Sequence, residues 1–170
     1  EEIRQAARAE LATLSETMPA QLDIVEVIRD AMPNSIIVGD STQPIYAANL
    51  YYDHDRPRGW FNAATGYGAL GFGPGAAIGA AVASPGRPVV CLIGDGGLGF
   101  DPAELRVAVD EDLPVTFVVW NNAAFREIAE AMQSAQTRGI GCSPSPFDMG
   151  PLAAACSHAD TPPCIEPLPG

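Results

Sequence analysis

The sequence has 170 residues, 47% of them apolar and 18% charged. That is enough for one cored globular domain and excludes a wholly disordered chain. Twenty-one acidic residues against nine basic ones give a net charge of −12, which excludes the basic face that nucleic acid requires.

All nine basic residues are arginine, so the chain offers no lysine for Schiff-base, phosphate-loop or general-base chemistry. Its two histidines, His54 and His158, cannot build an HExxH zinc motif. Cys91, Cys142, Cys156 and Cys164 form no CxxC pair, which predicts reduced thiols and a cytoplasmic setting. No apolar run reaches the ~18 residues of a membrane span.

Residues 1–20 carry good helix formers without a rich apolar stripe and are expected to be a linker helix arriving from an upstream domain. The domain proper is expected over 21–159, followed by a Pro-rich tail at 160–170. From Gln21, the helical spacing of Leu22, Val25, Ile28 and Met32 predicts a helix that Pro33-Asn34 stops. Ser35–Val38 is a short β-type run ending at Gly39-Asp40-Ser41-Thr42. Residues 43–65 are mixed, and Arg58–Thr65 makes a poor buried strand. Tyr46, Tyr51, Tyr52, Trp60 and Phe61 are assigned to core or interface, and His54 to a solvated charged turn.

Eleven of the 17 glycines fall between Gly66 and Gly99. Within that stretch, the Ala/Gly run 75–83 suits a helix packed closely on a sheet. Residues 88–93 form a continuous apolar run, as a strand buried on both faces does. Asp101, Pro102 and Glu104 predict a capped helix start, with the helix running to about Asp110. A second buried strand is predicted at 115–120, then helices around 126–135 and 149–157. Buried strands alternating with helices predict a three-layer, doubly wound, mostly parallel α/β sheet with helices on both faces.

Ligands of such sheets lie beyond the carboxyl ends of the strands. Asp95 and Asn122 each follow a predicted strand and stand 27 positions apart, about one βαβ unit. A carboxylate and a carboxamide on one rim suit Mg²⁺, which takes further oxygens from phosphate. Gly94, Gly96 and Gly97 leave backbone N–H groups bare for an anion, and the helix start near Asp101 adds positive dipole. A literal GxGxxG at Gly66–Gly71 offers an NAD-binding alternative. Against it stand the poor preceding strand, the helix-breaking Gly73-Pro74-Gly75, and an Asn122 left without a role.

The run GDGGLGF at 94–100, a 24-residue spacer over 97–120 and a closing Asn121-Asn122 resemble the thiamine-diphosphate motif. SIIVGDSTQ at 35–43 and GYGALGFGPGAAIG at 66–79 agree in register. Together they resemble the C-terminal cofactor domain of the acetolactate synthase and 2-oxo-acid decarboxylase family, and NNAAFREI leans toward its 5-guanidino-2-oxopentanoate decarboxylase branch.

The resemblance implies thiamine diphosphate and Mg²⁺ as cofactors, with Asp95, Asn122 and the Ala124 carbonyl as metal ligands. It further implies Thr42, Gln43, Gly96, Gly97 and Phe125 at the diphosphate, the Gly68 carbonyl at the pyrimidine amino group, and Leu70 as the wedge that bends the cofactor. No catalytic residue is expected in this chain. The family's glutamate belongs to a pyrimidine-binding domain, so half an active site is expected here. The partner domain would come from a longer chain or a separate subunit, in a homo-oligomer. The implied reaction is decarboxylation of a 2-oxo acid, with aldehyde release or acetolactate-type carboligation. A non-catalytic domain that kept the fold is the remaining alternative. Departures from the family pattern are Pro74-Gly75, Phe125-Arg126 and the sequence after His158.

Overall fold

The computed structural model describes residues 2–145 and 148–157, so His158, Cys164 and the tail at 160–170 lie outside the described residues. Four parallel strands form one sheet in the order β2-β1-β3-β4: β1 is Ile36–Gly39, β2 Trp60–Asn62, β3 Val89–Gly94 and β4 Val115–Trp120. Every residue of the central β1 and β3 is buried.

The pleat sends alternate residues to opposite faces. Ile37, Val90 and Leu92 pack under α1 (Glu2–Leu14), α2 (Met18–Ala31) and α3 (Gln43–Tyr51), against Leu11, Leu22, Val25 and Ile45. Ile36, Val38, Val89, Cys91 and Ile93 face the other way, onto Ala77 and Ala81 of α4 (Phe72–Ala83) and Leu98 of α5 (Asp95–Leu98). The same face takes α6 (Glu104–Asp110) and α8 (Met149–Cys156), while α7 (Arg126–Ser134) follows β4. The result is the expected three-layer α/β sandwich.

Several local expectations are corrected. Residues 43–65 hold a helix, α3, and an edge strand, β2, that pairs with β1 from Trp60 to Asn62. An edge strand needs no continuous apolar run, and buried Asn62 bonds Asn49 and the Ala64 N–H. Gly73-Pro74-Gly75 does not break a helix. Pro74 lies in the first turn of α4, where a missing N–H costs nothing.

Asp101 caps no helix. The chain already turns helical at Asp95, and α6 begins at Glu104 behind Ala103 without a side-chain cap. Nor is β4 buried on both sides like β3. It pairs only with β3 among the described residues, and its side chains are half-buried, with Thr116 exposed.

His54 is not solvated. Its side chain is 8% exposed, its Nδ1 bonds the Tyr52 hydroxyl at 2.8 Å, and burial holds its pKa below the ordinary value. Gly59 makes the slot for it, since a Cβ there would lie 1.9 Å from His54 Nε2. Tyr51, Tyr52, Trp60 and Phe61 pack on the two cores as expected, whereas Tyr46 does not.

Candidate cofactor site

Strand order reverses between β1 and β3. β1 connects outward through α3 to β2, and β3 connects outward to β4 on the other side. Such a switch point opens a crevice beyond the carboxyl ends of the two strands. An open cleft of ≈ 200 Å³ lies there, lined by Thr42, Gln43, Tyr46, Gly68, Leu70, Asp95, Gly96, Gly97, Asn122, Ala124 and Phe125, among others. All of the residues that sequence reasoning nominated therefore meet in one cleft. The helix N-terminus provided by α3 at Gln43 stands beside them, in place of the one expected at Asp101.

Each wall has a local cause. β3 ends at Gly94 and the chain turns helical at once, which leaves Asp95 7% exposed at the rim. Its Oδ1 accepts from the Asn122 backbone N–H at 3.4 Å, and among the described residues it pairs with no arginine. After β4, two asparagines in succession each accept from the N–H two residues on, Asn121 from Ala123 and Asn122 from Ala124, both at 3.2 Å. These Asx turns hold Ala123 at φ 53°, a left-handed conformation costly for alanine. The Asn122 amide Nδ2 donates to Gln43 Oε1 at 3.1 Å. Phe125 is tied by its N–H to the Cys142 carbonyl at 2.8 Å, and its ring lies over Gly96.

The glycine-rich segment forms the third wall. Gly68 and Gly71 have φ 66° and 84°, which other residues adopt only under strain. The Gly68 carbonyl accepts from Ser41 Oγ at 2.8 Å.

Sequence reasoning missed Asp40. It is fully buried at the end of β1. Its Oδ2 accepts from Gly73 N–H and its Oδ1 from Ser41 N–H, each at 2.7 Å, and the Gly71 N–H also bonds it. Burial raises its pKa above the ordinary value in spite of these donors. Side chains are excluded opposite it, since a Cβ at Gly97 would lie 3.0 Å from Asp40 Oδ1 and one at Gly73 3.2 Å from its Oδ2. One carboxylate thus ties the loop after β1 to the start of α4 and packs against α5. The sequence signal was an aspartate directly after a buried strand, but its partners stand about thirty residues away. Tyr46 was also missed as a cleft residue.

Asp95 and the Asn122 carboxamide offer hard oxygen atoms on one rim, with Ala124 beside them, a set that fits Mg²⁺ completed by phosphate oxygens. No cluster of three His, Cys, Asp or Glu that could hold a metal occurs among the described residues. Cys91, Cys142 and Cys156 are free thiols. No helix among the described residues is long and apolar enough to cross a membrane.

Comparison with known proteins shows the family and the fold. Residues 39–162 match the family described as thiamine pyrophosphate enzyme, C-terminal TPP binding domain. The chain is 36% identical over 156 residues to the "Probable 2-ketoarginine decarboxylase" of Pseudomonas aeruginosa, covering 91% of this chain and 26% of that protein. It is 38% identical over 110 residues to the acetolactate synthase isozyme 3 large subunit of Escherichia coli, covering 65% of this chain and 19% of that protein. The structure superimposes on the thiamine diphosphate-dependent 4-hydroxybenzoylformate decarboxylase of Rhodococcus jostii with TM-score 0.71 and 28% identity, over 80% of this chain and 26% of that one. The chain thus spans about a quarter or less of each of these relatives.

Proposed function

The chain belongs to the C-terminal TPP-binding domain family of the thiamine pyrophosphate enzymes, and from that premise we propose that its switch-point cleft holds the diphosphate of thiamine diphosphate through Mg²⁺ and supplies half of a 2-oxo-acid decarboxylating site. The observation that carries this reading is the meeting of Asp95 and Asn122. They lie 27 residues apart in sequence, yet they are joined at 3.4 Å beside Gln43 on one rim.

In this reading Asp95, Asn122 and the Ala124 carbonyl hold the cation. Thr42, Gln43, Gly96, Gly97 and Phe125 surround the diphosphate. The Gly68 carbonyl, already accepting from Ser41, has a second lone pair for the pyrimidine amino group. Leu70 is the wedge that bends the cofactor. Bound thiamine diphosphate supplies the electron sink for losing CO₂ from a 2-oxo acid. This chain's residues bind and orient it, and the glutamate that acts on the pyrimidine ring comes from a pyrimidine-binding domain, on the same longer chain or on another subunit of a homo-oligomer.

The 2-ketoarginine relative supports a substrate with a guanidinium tail. Glu127, which lines the cleft, offers that tail a carboxylate. Nucleotide binding through Gly66–Gly71 is not favoured, because the family match accounts for the same segment.

The test is calorimetric titration of thiamine diphosphate with Mg²⁺, then with excess chelator, using NAD as control. Mg²⁺-dependent binding that Asp95→Ala abolishes is the expected outcome. Wild-type affinity in Asp95→Ala removes Asp95 from the metal site, and NAD binding alone overturns the reading.

A further inference from the structure

We propose that Trp120 is a positioning residue for the cation site: acting through Gln43, its indole N–H fixes which end of the Asn122 carboxamide is left to meet a metal. The proposal rests on the reading of Asn122 as a metal ligand. Trp120 closes β4, Asn122 follows two residues later, and Gln43 opens α3 across the cleft. Trp120 Nε1 donates to Gln43 Oε1 at 3.3 Å, and Asn122 Nδ2 donates to the same oxygen at 3.1 Å.

The logic is one of donors and acceptors. An indole N–H can only donate, whereas a carboxamide can turn either end toward a neighbour. Trp120 therefore requires the oxygen of Gln43 on its side. That oxygen has two lone pairs, and the second takes an N–H from Asn122, so Asn122 must present its NH₂ end there. A flipped Asn122 would set two carbonyl oxygens against each other. Its Oδ1 is turned to the other side, where it accepts from the Ala124 N–H at 3.2 Å and keeps a lone pair for a cation.

The same constraint acts on Gln43. With Oε1 committed to Trp120 and Asn122, its NH₂ end is left to donate to an anion. The indole, together with the Ala124 N–H, thus gives opposite polarity to two neighbouring carboxamides: an oxygen for the metal and an N–H for the diphosphate. Without the indole only the Ala124 N–H opposes a joint turn-over of both amides, and the flipped pair, which loses that bond, presents NH₂ to the cation and oxygen to the anion.

The experiment uses the full-length protein carrying this chain and compares Trp120→Phe, Gln43→Glu and the double variant. Mg²⁺ affinity at saturating thiamine diphosphate is read by calorimetry. The side-chain NH₂ signals of Asn122 and Gln43 are read by ¹⁵N NMR on the cofactor-free protein. Trp120→Phe is expected to weaken Mg²⁺ by up to about twofold, since only the unflipped fraction binds the metal, and to turn each single amide signal into an exchanging pair.

In the Gln43→Glu background both ends of residue 43 are oxygen, so Trp120→Phe is expected to cost no further metal affinity. An equal loss in both backgrounds would assign the effect to ring packing and overturn the proposal. So would wild-type affinity with unchanged amide signals. If the wild-type protein takes up neither cofactor nor Mg²⁺, the binding reading fails by itself, and single against exchanging NH₂ signals still decides whether Trp120 orients the pair.

Discussion

Replacing Asp40 by asparagine keeps the size of the side chain and removes one acceptor oxygen. In the native fold the two carboxylate oxygens take Ser41 N–H and Gly73 N–H, each at 2.7 Å, in a place with no solvent exposure. Asparagine has one oxygen, so at least one buried N–H faces an NH₂ group instead. An unsatisfied buried donor costs about 1–3 kcal/mol, a large part of the ~5–15 kcal/mol that holds a domain folded. For a chain of this length that lowers Tm by roughly 2–12 °C. Asp40→Ala loses both acceptors and is expected to cost about twice as much.

The effect is also expected to depend on pH. Burial raises the folded-state pKa of Asp40 above its ordinary 3.8, so the folded chain holds this proton more tightly than the unfolded one. Its titration stabilises the fold fully below pH 3.8, and that contribution is lost as pH rises through the raised value. Asparagine does not titrate, so the wild-type advantage over Asp40→Asn is widest at acid pH and narrows upward. Urea unfolding at several pH values measures the gap, and hydrogen exchange at Gly71 and Gly73 reports whether the start of α4 has loosened. A variant within about 0.5 kcal/mol of wild type, with unchanged exchange at those two amides, would refute the anchoring role.

Gly96→Ala would place its Cβ 2.4 Å from Phe125 Cε1, so the ring must move by about 1 Å or more to restore contact distance. It is expected to weaken thiamine diphosphate at least about fivefold, the low end of an overpacking cost. Calorimetry checks this, and unchanged affinity would mean that the ring does not frame the diphosphate. Leu70→Ala, assayed in the full-length enzyme, is expected to lower turnover about 10- to 100-fold while cofactor affinity changes less. Equal losses in both would contradict its role as the wedge.

Much of this molecule is legible in one dimension. The apolar runs at 88–93 and 115–120 announce strands, and in β3 burial on both faces forbids polar residues. Glycines beside Asp95, and asparagines at the end of the next strand, mark the rim of the sheet. Asp95 and Asn122 do line one cleft, and each was legible because it belongs to a single strand end.

What the sequence could not determine depends on which strand ends become neighbours. Within the poor run at 58–65, Trp60–Asn62 is a strand because β1 offers it an edge, and β4 is only half-buried because it is an edge itself. Asp40 becomes an anchor because the order β2-β1-β3-β4 brings the loop after β1 and the α5 turn after β3 against the start of α4. Trp120 meets Gln43 across 77 positions for the same reason. Periodicity reports the face an element buries. The partner of each donor and acceptor is set by tertiary packing, because a hydrogen bond is made at about 3 Å and sequence carries no information on that scale about distant segments.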